Sequence, residues 1–328
     1  MEPREIIIAN IEHSGADRIG MNFNGSRVND MFKVGAMAPA GYTQKRWQEG
    51  DKEFYDDIYG NIWVRMIDGS VKGEIHKQVL EDWSQLDNLE FPGYDVDKLS
   101  DHFAEKFADN PDNLFKLAGM GGWVFNDARY LRKMENYFMD LALYPEELKR
   151  LHAKIGELYE QKIRAAGKGG ADGIMIGEDM GTQEGLLFSV DMFREYFKDL
   201  YAHLMGVAHE YGMKVLMHSC GKNWEIVDDL LDCGVNCFQF DQPALYDMPK
   251  LAAKLRERRA ALWSPTDIQK ILPTGDRDYI EKETRRMCEL FDGGFIAKNY
   301  PDLPGIGVKE EWDDWAYQVF KKYAGLQK

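Results

Sequence analysis

The residues best suited to chemistry are a histidine and a cysteine two positions apart, His218 and Cys220, in the segment HSCG. Side chains of a β-strand alternate between its two faces, so this imidazole and thiol should point the same way. Together they suit a borderline cation such as zinc, which binds histidine nitrogen and cysteine sulfur. The structural alternative is a hydrogen-bonded core histidine beside a buried cysteine. The spacing alone leaves both interpretations open.

Two adjacent carboxylates, Glu178 and Asp179, end the strand-like segment DGIMIGED one strand–helix unit earlier. Glu178 shares strand parity with Ile174 and Ile176, and we expect it to complete a Glu–His–Cys zinc set whose fourth position is left for substrate or water. Asp179 has the opposite parity, so we expect it to orient the following loop. Both are candidates for catalytic roles, and both could instead cap the segment that follows.

Other catalytic schemes lack their motifs in this chain. The sequence has no GxSxG elbow, no HExxH, no phosphate-binding GxxxxGK[ST] and no GxGxxG between a strand and a helix. The remaining cysteines, Cys233, Cys237 and Cys288, fall in segments that favour core packing. None of the four cysteines forms a CxxC pair, which argues against a disulfide framework.

The elements that must position these residues alternate regularly after Asp95. Strand-like segments recur with helical segments between them, which predicts a parallel sheet and, by its length, a (β/α)8 TIM barrel. Polar residues at the carboxyl ends of barrel strands are typical site residues. By that rule Asp267 is a further catalytic candidate, and Gln239, Asp241 and Asn299 are candidates for substrate binding.

The first part of the chain, residues 1–95, has a different character from the regular β/α units of 96–328. It is rich in turns and aromatic residues, and it predicts a first strand near Ile19–Asn24 followed by a β-containing flap with a strand at Ile62–Ile67. The flap aromatics Tyr42, Trp63 and Trp83 could line a substrate pocket, although ordinary packing is favoured for any single ring. No linker separates the parts, so we expect one domain over 1–328.

Composition restricts the partners. The 328 residues carry a formal net charge of −15, which argues against nucleic acid or an anionic membrane as a partner. No apolar run reaches the roughly 20 residues that a membrane span needs. The start MEPREIIIAN lacks the apolar region of a signal peptide, so we expect a cytoplasmic protein, for which a homodimer is allowed.

Three stretches together resemble the uroporphyrinogen decarboxylase superfamily, namely GEDMGTQEGLLFSVDMFREYF, KVLMHSCG and IVDDLLDCGVNCFQFDQPALYDMPKLA. The resemblance covers roughly Asp57 to the C-terminus and implies the same (β/α)8 barrel. That superfamily contains decarboxylases and cobalamin-linked methyltransferases. The decarboxylases carry an RQAGRY segment and a late histidine, whereas here the corresponding region reads GMNFNGSRVNDMFKVGAMAP and the last histidine is His218.

The resemblance therefore favours the methyltransferase branch, which includes coenzyme M methyltransferases and ether-cleaving O-demethylases. It implies zinc at His218 and Cys220 and cobalamin carried by a separate corrinoid protein, with a small-molecule methyl donor or acceptor as the other partner. The branch has a further zinc cysteine near the last strand, and the segment GGFIAKNYPDLPGIG has none. A zinc site with one thiolate is a harder Lewis acid, which favours a methyl ether over a thiol. The alternative is a metal-free decarboxylase that uses Asp267 or Asp179.

Overall fold

The computed structural model describes residues 1–68 and 73–326, and its centre is an eight-stranded parallel barrel. In chain order the strands of the described residues are β1 (Gly20–Asn22), β2 (Met31–Gly35), β3 (Arg46–Glu49), β4 (Lys52–Asp56), β5 (Ile62–Met66), β6 (Glu74–Lys77), β7 (Phe115–Gly119), β8 (Gly173–Gly177), β9 (Lys214–His218), β10 (Cys237–Gln239), β11 (Ala261–Ser264) and β12 (Phe295–Lys298). The barrel order is β1-β12-β11-β10-β9-β8-β7-β2. The predicted (β/α)8 TIM barrel is confirmed.

Asp30 joins the two ends of this sheet. Its backbone amide donates to the Met21 carbonyl at 2.7 Å, and its carboxylate accepts from the Met21 amide at 2.8 Å. The Arg18 guanidinium donates to both oxygens of the same carboxylate, at 2.7 and 2.6 Å. These bonds link β1 to the residue that precedes β2, so the barrel is nearly closed.

Helices cover the outside of the barrel and connect its strands. They are α1 (Pro3–Glu12), α2 (Val96–Ala108), α3 (Val124–Arg132), α4 (Met134–Leu143), α5 (Pro145–Lys168), α6 (Val190–Phe193), α7 (Asp199–Glu210), α8 (Val227–Cys233), α9 (Met248–Glu257), α10 (Arg277–Leu290) and α11 (Glu310–Tyr323). A π-helical turn joins α6 to α7. Helix α4 ends at Leu143, and Pro145 then starts α5 at its first turn, where proline is favoured. Gly234, at φ +118°, ends α8 in the left-handed region that suits glycine.

Two elements of the first 95 residues differ from expectation. Helix α1 was not predicted there, and its Ile7 and Ile11 pack into the barrel interior. Strand β2 supplies the eighth barrel strand, paired in parallel with β7, although its surroundings suggested only turns. A helix of ten residues and a strand of five are too short for their periodicity to stand out among neighbouring turn residues.

The barrel strands bury both of their faces, as parallel strands covered by helices do. Along β8, Ile174 and Ile176 pack into the large core between the strands and the helices. Met175 points the other way and contacts the cluster inside the barrel, which includes Leu216 and Cys237. Cys237 therefore packs in the interior, as expected.

The predicted flap is an antiparallel sheet in the order β3-β4-β5-β6. It docks onto α3 through the Trp63 ring, which meets Tyr130 edge-on at a centroid distance of 4.7 Å. Just before β5, the Tyr59 hydroxyl donates to Asp127 at 2.7 Å. The flap thus covers one side of the barrel mouth. Among the described residues, no helix is both long enough and apolar enough to cross a membrane.

Candidate metal and substrate site

Three ligand-type side chains converge at the carboxyl ends of the neighbouring strands β8 and β9. His218 is the last residue of β9, Cys220 follows it by two, and Asp179 follows β8 by two. Cys220 Sγ lies 3.4 Å from His218 Nε2, and Asp179 Oδ1 lies 3.6 Å from the same nitrogen. One ligand atom from each residue lies within 4.8 Å of the other two. A thiol, an imidazole and a carboxylate at this spacing could hold one metal ion.

A relay of hydrogen bonds fixes the His218 ring. Lys298 Nζ and Gln239 Nε2 both donate to Asp241 Oδ1, each at 2.7 Å. Because Gln239 turns its amide NH₂ toward Asp241, its Oε1 faces the ring and accepts from His218 Nδ1 at 2.6 Å. Nδ1 therefore carries a proton, and in the neutral ring Nε2 presents its lone pair toward Cys220 and Asp179. The carboxylate behind the amide is the outer support that metal-binding histidines commonly have.

The structure does not bring Glu178 to this group, in contrast to the expectation that Glu178 completes it. Its carboxylate is buried on the helix side of β8, where it accepts from the backbone amides of Phe125 and Asn126 at 2.8 and 2.9 Å and from the Tyr201 hydroxyl. It therefore caps the first turn of α3. Burial raises the pKa of Glu178 to about 8. The three hydrogen-bond donors favour the ionised carboxylate and therefore oppose this rise.

Glu178 lies away from the metal-ligand group because of the face of β8 on which it stands. As strand parity predicts, it shares a face with Ile174 and Ile176, but that face packs against the helices. The lumen face of β8 carries Met175. Asp179 has the same parity as Met175 and lies beside His218. Asp179 was expected to orient the loop that follows it. The hydrogen bond that its Oδ1 accepts, from the Cys220 amide at 3.0 Å, ties it to the segment after β9.

A cavity of about 570 Å³ opens beside His218 and Cys220, which both line it, and we call it the mouth cavity. Met31, Met175 and Trp263 contribute apolar surface to it. The three predicted substrate-binding residues Gln239, Asp241 and Asn299 all line it. Its polar lining consists of Asn22, Asn24, Asn29, Lys33, His218, Cys220, Gln239, Asp241, Lys298 and Asn299.

Asp267 is not part of this lining. It is buried after β11. Its carboxylate accepts from the backbone amides of Ala244, Gln269 and Lys270 at 2.9, 2.9 and 2.6 Å. The structure thus places Asp267 where it organises two loops.

The flap aromatics separate into two groups. Tyr42 and Trp63 line a second cavity of about 490 Å³ between the flap and the barrel, which we call the flap cavity. Trp83 lies elsewhere, with its Nε1 3.3 Å from Asp140 Oδ1 and the Arg132 guanidinium 4.5 Å above its ring. Of the three predicted rings, the structure places Tyr42 and Trp63 at a cavity and Trp83 in a packed contact.

Asp127, which no sequence motif indicates, lies at the base of the flap cavity. Both Tyr59 and Tyr159 donate to its Oδ2 at 2.7 Å. Burial raises the pKa of Asp127, while the buried Lys162 nearby opposes that rise. Tyr59 lies far from Asp127 in the sequence, so no local pattern could have indicated this contact.

A third space of about 450 Å³ connects the flap to the metal-ligand group. Asp179 lines it together with Trp63, Arg129 and Tyr130, and we call it the side cavity. Trp63 and Tyr130 also line the flap cavity. Asp179 thus stands between the mouth cavity residues His218 and Cys220 and the aromatic surface under the flap.

Comparison with known proteins agrees with this architecture. A family model described as uroporphyrinogen decarboxylase (URO-D) matches residues 64–300. Among solved structures, a methyltransferase from Methanosarcina mazei is similar with a TM-score of 0.61 and 15% identity, over 98% of this chain and 86% of that chain. A D-psicose 3-epimerase has a TM-score of 0.44 and 10% identity, over 75% and 88%. No curated protein matches the chain in sequence. At 15% identity, the likeness to the methyltransferase shows a shared fold.

Proposed function

The chain belongs to the uroporphyrinogen decarboxylase (URO-D) family, and from that premise we propose that it is a zinc-dependent methyltransferase acting with a separate corrinoid protein. The observation that carries the proposal is the convergence of Asp179, His218 and Cys220 at the barrel mouth. The barrel fold shared with a methyltransferase from Methanosarcina mazei is compatible with it. The small substrate would give its methyl group to the corrinoid, or receive one from it.

The donor set suits zinc. A thiolate, an imidazole nitrogen and a carboxylate oxygen are all ordinary zinc ligands, and three protein ligands leave a fourth position for a substrate, as in catalytic zinc sites. When bound, zinc would supply a Lewis acid to the substrate heteroatom that loses the methyl group. The residues that would hold it are Asp179, His218 and Cys220, with Asp179 in the place that we expected for Glu178.

The chain prepares His218 for this role. The Gln239 carbonyl keeps the proton on His218 Nδ1, so that Nε2 has its lone pair available toward Cys220. Asp241 and Lys298 hold the Gln239 amide in the orientation that this requires. The ring therefore needs neither rotation nor tautomer change to act as a ligand.

A methyl ether is the favoured substrate. A donor set with one thiolate and one carboxylate prefers oxygen more than a set with two thiolates does. The side cavity joins Asp179 to the aromatic surface of Trp63 and Tyr130, which could hold an aryl ring. In such a reaction the methyl carbon would pass from the ether oxygen to the cobalt(I) that the partner's corrinoid would supply. The oxygen would keep the electron pair of the broken bond, and a proton would then restore the phenol or alcohol.

The decarboxylase alternative has less support. It assigned Asp267 or Asp179 the role of polarising a substrate without metal. Three backbone amides already donate to the Asp267 carboxylate, which does not line the mouth cavity. Asp179 lies beside a histidine and a cysteine, a grouping that decarboxylation does not require.

The test has two parts. Metal analysis of the gently purified protein should find about one zinc per chain. With free or protein-bound cob(I)alamin, methoxyaromatic compounds should form methylcobalamin, whereas demethylation of methylcobalamin by thiols should be slower. Absence of zinc would remove the mechanism. Fast reaction with thiols and none with any methyl ether would overturn the substrate preference, and no methyl transfer in either direction with any corrinoid protein would overturn the function.

A further inference from the structure

The Cys220 thiol lies just beyond the part of the chain that the barrel sheet holds. Strand β9 ends at His218, and the Ser219 amide still donates to the Gln239 carbonyl on β10 at 3.2 Å. The Cys220 amide leaves this pattern and donates to Asp179 Oδ1 at 3.0 Å. A zinc–sulfur bond of about 2.3 Å tolerates deviations of only about 0.2 Å. If this thiol binds zinc, contacts outside the sheet must therefore fix its position.

Gly221, which follows Cys220 directly, is bound by two side chains of the connection between β10 and α9. Its amide donates to Gln242 Oε1 at 3.1 Å, and its carbonyl accepts from the Tyr246 hydroxyl at 3.0 Å. The same hydroxyl accepts from the Asn223 amide at 3.1 Å, so it joins two points of the turn after Cys220. Both backbone polar groups of Gly221 thus have side-chain partners that are themselves buried.

Gly221 also contacts the loop that carries Asp179. Gly181 lies so close that a Cβ on it would come within 2.7 Å of the Lys222 amide nitrogen and 2.9 Å of the Gly221 carbonyl carbon. A Cβ on Gly221 would overlap the Gly181 carbonyl, and the φ of Gly221 is +78°, which favours glycine. The Lys222 amide donates to the Thr182 carbonyl at 2.8 Å. The loops after β8 and β9 therefore meet backbone to backbone.

Three successive connections of the barrel thus meet at Gly221, and we call this arrangement the loop interlock. It consists of Gly181 after β8, Gly221 after β9, and Gln242 and Tyr246 after β10. None of these four residues lines the mouth, flap or side cavity, and none supplies a side chain to the candidate metal site. Their contacts act on the backbone of the loops that carry the ligands.

We infer that the loop interlock fixes the spacing between Asp179 and Cys220, so that Tyr246 and Gly181 are positioning residues for the metal site. The inference rests on the proposed function, because it takes these two side chains and His218 as the zinc ligands. Ligands that are already in place lose little conformational freedom when they bind a metal. Loosening the interlock therefore lowers zinc affinity even though every ligand is intact.

Tyr246→Phe tests the interlock with the least disturbance. The variant keeps the ring and its stacking on Phe240, at a centroid distance of 4.7 Å, and removes only the hydroxyl. We expect zinc affinity to fall about tenfold, because the Gly221 carbonyl and the Asn223 amide lose the partner that they share. Competition with a zinc chelator measures the affinity, and urea denaturation of the metal-free protein measures the stability separately.

Tyr196→Phe is the matched control for this variant. Tyr196 and Tyr246 are both 6% exposed, and the Tyr196 hydroxyl likewise donates to a backbone carbonyl, that of Leu141, at 2.7 Å. Tyr196 lies in the π-helical turn before α7 and not in the interlock. Its variant should lose stability to a similar extent and keep the zinc affinity of the wild-type protein.

Gly181→Ala strains the interlock from the other loop. Its Cβ must displace the backbone at Lys222, so we expect zinc affinity to fall about 10- to 100-fold. Gly185→Ala is the matched control in the same loop, where a Cβ would meet only Glu225 Oε1, at 3.5 Å. In the cobalt(II)-loaded proteins, the thiolate-to-cobalt absorption of Cys220 should weaken or shift in Gly181→Ala and stay unchanged in Gly185→Ala.

Unchanged zinc affinity in folded Tyr246→Phe would overturn the inference. Equal losses in Tyr246→Phe and Tyr196→Phe would do the same, because they would trace the effect to overall stability. If Gly181→Ala does not fold, Tyr246→Phe decides the question, since it adds no atoms. A wild-type protein that binds neither zinc nor cobalt would overturn both the interlock's role and the proposed function. Lower affinity in the interlock variants alone, with no methyl transfer by the wild-type protein, would count against the proposed function only.

Discussion

The two faces of strand β8 place neighbouring carboxylates in different environments. On the helix side, Glu178 accepts from two backbone amides and a tyrosine hydroxyl, and burial raises its pKa. On the lumen side, Asp179 lies beside His218 and Cys220 and lines the side cavity. Although the two residues are adjacent in the sequence, Glu178 stabilises the first turn of a helix and Asp179 belongs to a candidate metal site.

Two histidines repeat this contrast. His152 is enclosed between α4, α5 and the turn before α7, with its Nε2 3.0 Å from the Tyr137 hydroxyl and its Nδ1 3.3 Å from the Tyr196 carbonyl. His218 satisfies one nitrogen within the protein and turns the other toward two further ligand-type side chains. The fold itself supplies the partners of Glu178 and His152, whereas Asp179 and His218 are arranged for an additional partner.

The largest effect is expected from the metal ligands. His218→Ala or Cys220→Ala should remove most of the bound zinc and lower methyl transfer about 1000-fold or more, because a Lewis acid contributes several kcal/mol. Asp179→Ala should lower zinc affinity as well. Metal analysis and the cob(I)alamin assay measure both quantities.

Cys288→Ala is the control for these variants, since Cys288 is buried in α10 away from the mouth. Its zinc content should equal that of the wild-type protein. Full zinc in His218→Ala would mean that the metal binds elsewhere.

Glu178→Ala should instead destabilise the fold and leave zinc bound in the folded fraction. It removes the acceptor from two buried amides and one hydroxyl, which should cost about 3 kcal/mol or more in the free energy of unfolding. Glu178→Gln keeps an acceptor and should cost less. Urea denaturation measures the cost, and loss of zinc from well-folded Glu178→Gln would show that this carboxylate belongs to the metal site after all.

Lowering the pH should destabilise the fold through the buried His152. Burial lowers the pKa of His152 to about 4 from an ordinary 6.5. Between these values the unfolded chain binds a proton that the folded chain does not, so stability falls as pH decreases from 6.5 toward 4. At pH 5 the contribution is about 2 kcal/mol relative to pH 7.

His152→Gln should therefore lose less stability than the wild-type protein between pH 7 and pH 5. Urea unfolding at the two values provides the measurement. Equal losses in both proteins would show that His152 is protonated without penalty in the fold.

The support of His218 should have a smaller effect than its ligands. Gln239→Leu removes the acceptor on Nδ1 while keeping the volume, and should lower zinc affinity about 10- to 100-fold, as loss of outer-shell partners does. Asp241→Asn should also lower zinc affinity, because asparagine no longer dictates how the Gln239 amide is turned. The loss should be smaller than in Gln239→Leu, because the acceptor for His218 Nδ1 is still present. Competition with a zinc chelator measures both, and unchanged affinity in Gln239→Leu would contradict the tautomer argument.

The sequence predicted those features that depend on local patterns. The long helices, the later barrel strands and the His218–Cys220 pair all have a periodicity or spacing that can be recognised directly. Strand β2 has no such pattern, so the sequence indicated neither the strand nor the position of Lys33 at the mouth cavity. The position of Lys298 could have been predicted, because it shares parity with Ile296 on the last strand.

Glu178 shows a different limit. Its parity with Ile174 and Ile176 was correct, but a barrel strand is apolar on both faces, so parity cannot tell the lumen from the helix side. That distinction depends on which helices pack behind β8. The Tyr59–Asp127 contact has the same origin, because it joins residues brought together only when the flap docks.

The smallest expected effect concerns the aromatic surface under the flap. Trp63→Leu should raise the KM for a methoxyaromatic substrate about fivefold with little change in kcat, because an aromatic contact contributes roughly 1 kcal/mol. Trp47→Leu is the matched control: Trp47 is on the same sheet, stacked on Phe54 at 5.5 Å, and lines neither the flap nor the side cavity. Trp83→Leu should lower stability and leave KM unchanged, because its partners are Arg132 and Asp140. If Trp63→Leu and Trp47→Leu have the same KM, the substrate ring does not bind under the flap, and the mouth cavity holds the whole substrate.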